Sequence, residues 1–275
     1  MSVNLLIVSK GHAFSHDSFL TMFAEMSDVV TTLVEQPAAQ VILQPENVAS
    51  YDAVLFYDMS GIPDAGLVHD GANNTGQPPS FYVDAIEKLL DAGKGLVLLN
   101  HATFSWPLWP LWREITQSSA MLRAGELDGK QVPGSGYRGG HGPLPNASVK
   151  LISQGDHPVL AGLETGFEIA DELYLKTPHF ESAVTPLLRA DYDFSTANFT
   201  PPPLASEEEQ QNWQHPQGSD LIAWAHSCRR SPVVVTDLGD GPSAFENPDF
   251  SRFIENAVTW VSSEHARRWV ESKAG

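Results

Sequence analysis

The residues best able to do chemistry in this chain are histidines and carboxylates at the ends of apolar runs, and His101 leads them. It follows Gly95-Leu96-Val97-Leu98-Leu99, which breaks abruptly at Asn100-His101-Ala102-Thr103. A short run apolar on both faces reads as a central strand of a parallel sheet, covered by helices on both sides. In open α/β sheets, ligands collect beyond the carboxyl ends of the strands. Asn100 and His101 therefore stand where a ligand is expected. Imidazole titrates near neutral pH and can serve as acid, base or metal ligand. A histidine that only holds a loop carbonyl is the structural alternative.

His12 and His16 lie four apart in Gly11-His12-Ala13-Phe14-Ser15-His16-Asp17. This loop joins a first strand, Leu5 to Val8, to an amphipathic helix read over Ser18 to Met26, with Ser15 or Asp17 as its cap. The spacing can put both imidazoles on one side of a helix start. That would suit a metal or an anion, but two histidines are half a metal site. Capping and packing roles fit equally well. A third strand, Asp52 to Tyr57, ends in Asp58-Met59-Ser60-Gly61. Ser60 and Gly61 can turn backbone N–H groups toward an oxyanion, or make an ordinary turn.

Asp171-Glu172-Leu173-Tyr174 sets two carboxylates beside a phenol. The combination can hold a metal, orient a histidine or bind hydroxyls; an acid pair at the surface is the plain reading. His226 ends the strand read over Ser219 to His226, and Asp240 follows the last strand, Pro232 to Thr236. His141 sits in a glycine-rich run where backbone can approach a ligand closely. Trp106, Trp109 and Trp112 fall within seven residues. They could stack on a sugar, plug the core or form a contact between subunits.

A zinc-like divalent ion would need three or four of His12, His16, His101, His141, Glu172, His226 and Asp240 together. Spacing alone does not decide whether they meet. Several chemistries are disfavoured. There is no His-Glu-x-x-His and no Gly-x-Ser-x-Gly elbow, and the single cysteine, Cys228, precedes a strand. The first strand leads into Ser9-Lys10-Gly11-His12 rather than a dinucleotide fingerprint, so no nucleotide cofactor is expected.

The elements that must position these residues alternate. A helix is expected over Phe81 to Ala92 with Gly93 as its stop, and another over Trp112 to Met121. Residues 63–79 and 123–147 read as loops, and 191–216 as a surface excursion. Strands are expected at Ser148 to Ile152 and Thr185 to Ala190. A closing helix runs from Phe250 to Val261. The order predicts one α/β domain over residues 1–262, a three-layer sandwich around a mostly parallel sheet, with 263–275 as a peripheral tail.

With 275 residues and 42 % hydrophobic content, the chain can bury a large core. Its 34 acidic against 16 basic residues give a formal charge of −18. That field would repel a phosphate backbone, so no nucleic-acid partner is expected. One cysteine permits no internal disulfide. No apolar run approaches the ~20 residues that cross a bilayer, and no leader-like segment precedes the first strand. A soluble cytoplasmic protein is the expectation.

In their order along the chain, several of these segments resemble the trehalose-utilisation (ThuA-like) family, a branch of the class I glutamine-amidotransferase-like, flavodoxin-like α/β folds. They are His12 with His16-Asp17, the Asp52 to Gly61 unit and Asn100-His101-Ala102-Thr103. Further along come Asp156-His157-Pro158-Val159 with Gly162-Leu163, then Asp171-Glu172-Leu173-Tyr174. Leu221-Ile222-Ala223-Trp224 and Phe245-Glu246-Asn247-Pro248-Asp249-Phe250 close the pattern. Where the family has a histidine in its closing Gly-His turn, this sequence has Asp240. The resemblance implies that His101 stands where glutamine amidotransferases keep a nucleophilic cysteine, so glutaminase activity is not expected. It also implies a role in sugar use, with keto-sugar intermediates.

The reading is a sugar-directed enzyme. His101, His12, His16 and Glu172 would be the catalytic groups. Ser60, Gly61, Asn100, Trp106, Trp109, His141, Tyr174, His226 and Asp240 would face the substrate. A divalent metal such as zinc and a homodimer or larger homo-oligomer are compatible with it. The alternative is a non-catalytic protein that binds a sugar or a partner on the same fold.

Overall fold

The computed structural model describes residues 2–62, 76–118, 120–127, 129–140, 142–176 and 181–273. The strands in chain order are β1 (Val3–Lys10), β2 (Val29–Glu35), β3 (Ala53–Asp58), β4 (Gly95–Leu99), β5 (Gly125–Leu127), β6 (Lys130–Val132), β7 (Gly136–Arg138), β8 (Ala147–Ser153), β9 (Phe167–Asp171), β10 (Leu173–Leu175), β11 (Thr185–Ala190), β12 (Leu221–Cys228) and β13 (Ser231–Thr236). Nine of them form one sheet in the order β2-β1-β3-β4-β13-β12-β11-β8-β9. From β2 to β13 every pairing is parallel; from β13 to β9 every pairing is antiparallel. Alternate reversal in the second half leaves only β12 and β8 pointing against the rest.

The central strands are apolar at every position because both faces are buried. Side chains alternate across a strand with period two. Leu5, Ile7, Leu55, Val97 and Leu99 accordingly enter one core, with Phe19 and Phe23 of helix His16–Ala24 and Phe250, Phe253 and Ile254 of helix Pro248–Val261. Leu6, Val8, Val54, Phe56, Leu96 and Leu98 enter the other, with Tyr82, Ile86 and Leu89 of helix Ser80–Asp91 and Trp112 and Ile115 of helix Pro110–Thr116. These are the three layers expected from the sequence.

Some expectations need correcting. The helix expected to reach Met121 stops at Thr116, because Gln117 takes a left-handed conformation with φ of 49°. The 123–147 segment, read as loop, holds β5, β6 and β7. β5 pairs with β6 and β7 pairs with β10. The 191–216 excursion carries a short helix, Glu207–Asn212, closed by a capping box between Ser206 and Glu209. Residues 264–273, expected as a peripheral tail, form a helix that buries Ala266 and Val270 beside β12 and β13. Residues 63–75 of the first long loop, and His141, lie outside the described residues.

The tryptophans are core. Trp106 and Trp112 are almost fully buried, Trp109 nearly so, and all three join the second core. Trp112 Nε1 donates to the Ala102 carbonyl at 2.8 Å, which fixes the turn after β4. Their expected contact with substrate, or with another subunit, is therefore replaced by packing. Gly61 has the same role. Its φ is +68°, and a Cβ there would lie 2.2 Å from the Trp106 ring. Gly61→Ala is expected to destabilise the fold by about 2 kcal/mol through left-handed strain and overpacking, read as a lower urea midpoint.

Candidate active site

The carboxyl ends of β1, β4 and β13 converge beside the end of β9, and each delivers one polar side chain. β1 runs through Lys10 and Gly11 into His12. β4 leaves the sheet at Asn100, whose φ of 48° is tolerated better by asparagine than by most residues. That turn swings His101 toward His12. β13 continues through Asp237 to Asp240. Gly239, with φ of 110°, makes the bend, and a Cβ there would press on Leu99 at 3.0 Å.

The His12 and His101 rings stack, with centroids 3.7 Å apart and planes 26° from parallel. Asp240 Oδ1 lies 3.3 Å from His101 Nε2. Tyr57 meets His101 edge-on at 5.6 Å, and its hydroxyl donates to the Asp240 carbonyl at 3.4 Å. Burial, and then the charge of Asp240, push the Tyr57 phenol well above its usual pKa. His101 is almost fully buried, so Asp240 orients it in a water-poor setting.

Asp171 and Glu172 divide their work. Asp171 is buried and accepts three backbone N–H groups: Gly239 at 2.7 Å, Glu172 at 2.9 Å and Asp240 at 3.3 Å. It thereby pins the turn that carries Asp240. Burial raises its carboxyl to about 7 despite those three donors. Glu172 instead lines a cavity of about 570 Å³ together with His12, His101 and Tyr174. Burial first, and then the charge of Asp240, push its carboxyl up to about 8.

Hydrogen-bond accounting around Glu172 points the same way. Asn100 Nδ2 donates to the Asp237 carbonyl at 2.7 Å, which leaves Asn100 Oδ1 facing Tyr174 Oη at 2.8 Å. Tyr174 Oη also lies 2.6 Å from Glu172 Oε2. One phenol proton cannot serve two acceptors. The chain closes if Glu172 is protonated and donates to Tyr174, which donates to Asn100. A carboxyl whose pKa rises on folding binds more protons when native, so its contribution to stability falls as pH climbs from about 4.5 to about 8. Glu172→Gln, whose amide can still donate to Tyr174, is expected to exceed the parent's stability at pH 8.5 by about 1 kcal/mol or more. The gap should shrink by pH 5, as read from urea midpoints at both values.

Other expected site residues lie elsewhere. His16 is exposed at the head of its helix, stacks on Phe14 at 4.1 Å and is not one of the donor groups that meet around His101. His226 is buried within β12, where it pairs with Val233 near the start of β13, the end remote from the site. Its Nε2 meets the Ile115 carbonyl at 2.8 Å, and burial lowers its pKa to about 4. Ser60 donates to Asp58 at 2.7 Å, while Gln36 donates to the same carboxylate at 3.1 Å. That buried network braces the end of β3, and the Ser60 N–H, expected to face an oxyanion, donates to Ser105 Oγ at 3.0 Å. Sequence reasoning missed Lys176 and Asp237, a fully buried ion pair beneath Asn100. The one available signal was a charged residue directly following the apolar Leu173-Tyr174-Leu175 run.

A family model described as trehalose utilisation, ThuA, matches residues 4–261. The chain belongs to the ThuA family. Among solved structures, a ThuA-like protein from Parabacteroides merdae is 15 % identical with a TM-score of 0.65, covering 96 % of this chain and 91 % of that one. A ThuA-like protein from Bacteroides uniformis is 19 % identical with a TM-score of 0.61, covering 95 % and 92 %. The PurLQS structure from Thermotoga maritima matches at 12 % identity and a TM-score of 0.52, covering 94 % and 99 %. At these identities the likeness concerns the fold, which is that of the class I glutamine-amidotransferase-like proteins. No curated protein matches this ThuA-family chain significantly. Among the described residues, no helix is long and apolar enough to cross a membrane.

Proposed function

We propose that this ThuA-family chain is an enzyme of carbohydrate utilisation that acts on a keto sugar or glycoside by acid–base chemistry, without glutaminase activity. The observation that carries the reading is the meeting of His12, His101 and Asp240 beside a cavity that His12, His101 and Glu172 line. Residues from four strand ends rarely converge there for packing alone, because buried ionisable groups cost stability unless they have a use. His101, oriented by Asp240, is the group best placed to take a proton from a substrate carbon or hydroxyl. Glu172, held protonated by burial, is suited to give up the proton it otherwise donates to Tyr174 to a leaving or carbonyl oxygen. A base and an acid lining one cavity are what elimination or enolisation of a keto sugar requires. Turnover of a panel of keto sugars and glycosides tests this. Consumption of at least one, lost in His101→Ala, is expected; saturable binding without turnover across the panel would favour a binding protein instead.

A divalent metal is a second reading with its own support. The donor atoms of His12, His101 and Asp240 all lie within 4.8 Å of one another. Two imidazoles and one carboxylate are a donor set common at catalytic zinc and iron sites. The stacked rings hold their lone pairs side by side, so they would have to open slightly to aim at one ion. A bound ion would polarise a carbonyl or hydroxyl oxygen. Metal content measured on the purified chain, compared with Asp240→Ala, tests this: about one zinc-like ion in the parent and a marked loss in the variant are expected.

A further inference from the structure

The cavity that reaches His101 carries its ionisable side chains on one group of residues and a largely apolar wall on another. Its inner end carries His12, His101 and Glu172. Beyond them the wall is formed by Met59, Phe104, Leu122, Tyr137 and Leu204, members of a third apolar cluster separate from the two sheet cores. The wall is assembled from segments distant in sequence. Leu204 N–H donates to the Leu122 carbonyl at 3.2 Å, and Tyr137 and Thr200 exchange two backbone bonds at 3.1 and 2.9 Å. Apart from the Tyr137 phenol, the polar side chains among these outer residues each already hold one hydrogen bond within the protein. The Thr200 hydroxyl donates to the Tyr137 carbonyl at 2.7 Å, Ser135 Oγ accepts from Met121 N–H at 3.0 Å, and the Gln210 amide donates to the Ala205 carbonyl at 3.0 Å.

A volume of about 570 Å³ would hold a disaccharide. A second sugar ring in the outer chamber would, however, bury hydroxyls against side chains that offer them few partners, and unpaired buried hydroxyls weaken binding. We propose that the preferred substrate is an amphipathic glycoside. Its sugar lies against His12, His101 and Glu172, and its aryl or alkyl aglycone fills the chamber of Met59, Phe104, Leu122 and Leu204. This rests on the acid–base sugar reading for the inner end and adds the class of group at the outer end.

Calorimetric titration of the full chain with trehalose, methyl α-glucoside, phenyl α-glucoside and 1-naphthol tests it. Phenyl α-glucoside is expected to bind at least about tenfold more tightly than methyl α-glucoside or trehalose. Leu122→Ser and Leu204→Ser should each shrink that advantage severalfold, weakening phenyl α-glucoside more than methyl α-glucoside. Equal affinity for all three glycosides, or an aryl advantage that survives both substitutions, overturns the proposal and leaves the sugar reading standing. Binding of 1-naphthol that depends on Leu122 and Leu204, with no glycoside bound, supports the apolar chamber and overturns the sugar reading instead. Absence of binding by every probe overturns the proposal, while the keto-sugar reading is decided by the turnover panel.

Discussion

His101→Ala is expected to lower kcat/KM by about 10³-fold on whichever keto sugar or glycoside the parent chain consumes. The estimate follows from the range for a positioned acid or base, about 10²–10⁴-fold. His101 is the point where the site's contacts meet. It stacks on His12, faces Asp240 Oδ1 at 3.3 Å and lies edge-on to Tyr57. Removing it takes away the proton acceptor and also the surface that holds His12 in place. It lies just past the end of β4, in the turn Asn100–Phe104, so the sheet itself should survive. Retained far-ultraviolet circular dichroism with lost turnover is the expected pair of readouts. A variant that keeps more than a tenth of parental kcat/KM would remove His101 from the mechanism. Asp240→Asn should cost less, about 10–10²-fold, because it acts by orienting His101 rather than by touching the substrate proton.

The largest effect on stability is expected at Asp237. Lys176 and Asp237 are both buried and bonded to each other, and Lys176 Nζ also donates to Ser118 Oγ at 3.1 Å. Burial pushes the lysine's pKa down and the aspartate's up, while each partner opposes the shift of the other. Breaking such a pair strands one charge in a medium that cannot solvate it, at a cost of about 3–5 kcal/mol. Asp237→Ala should therefore lower the urea midpoint sharply. The joint change Lys176→Met with Asp237→Leu should recover most of the loss, because it strands nothing. If Asp237→Ala cost under about 1 kcal/mol, the pair would carry no appreciable charge–charge stabilisation. Asn100 donates to the Asp237 backbone carbonyl, so the single variant should also loosen the Asn100–Tyr174–Glu172 chain.

The sequence determined the layers. The Leu5 to Val8 and Leu96 to Leu99 runs are apolar at consecutive positions, and period-two geometry then requires cover on both faces. The polar break at Asn100-His101 marked a strand end, which in a parallel sheet is the ligand-binding edge. His12, His101, Glu172 and Asp240 could be named from that rule and from residue type alone. Tertiary structure decided which of the named residues meet. His16 and His226 have the same chemistry as His12 and His101, but one is exposed at a helix head and the other belongs to the opposite end of β12. That difference depends on the antiparallel direction of β12 and on where a turn bends, neither of which is written in local periodicity. The tryptophans went to the core for a related reason: a large ring is as useful for filling space as for stacking on a sugar, and only the neighbours choose. The Lys176–Asp237 pair escaped notice because its two members are 61 positions apart in sequence and become partners only when β10 and β13 are brought together.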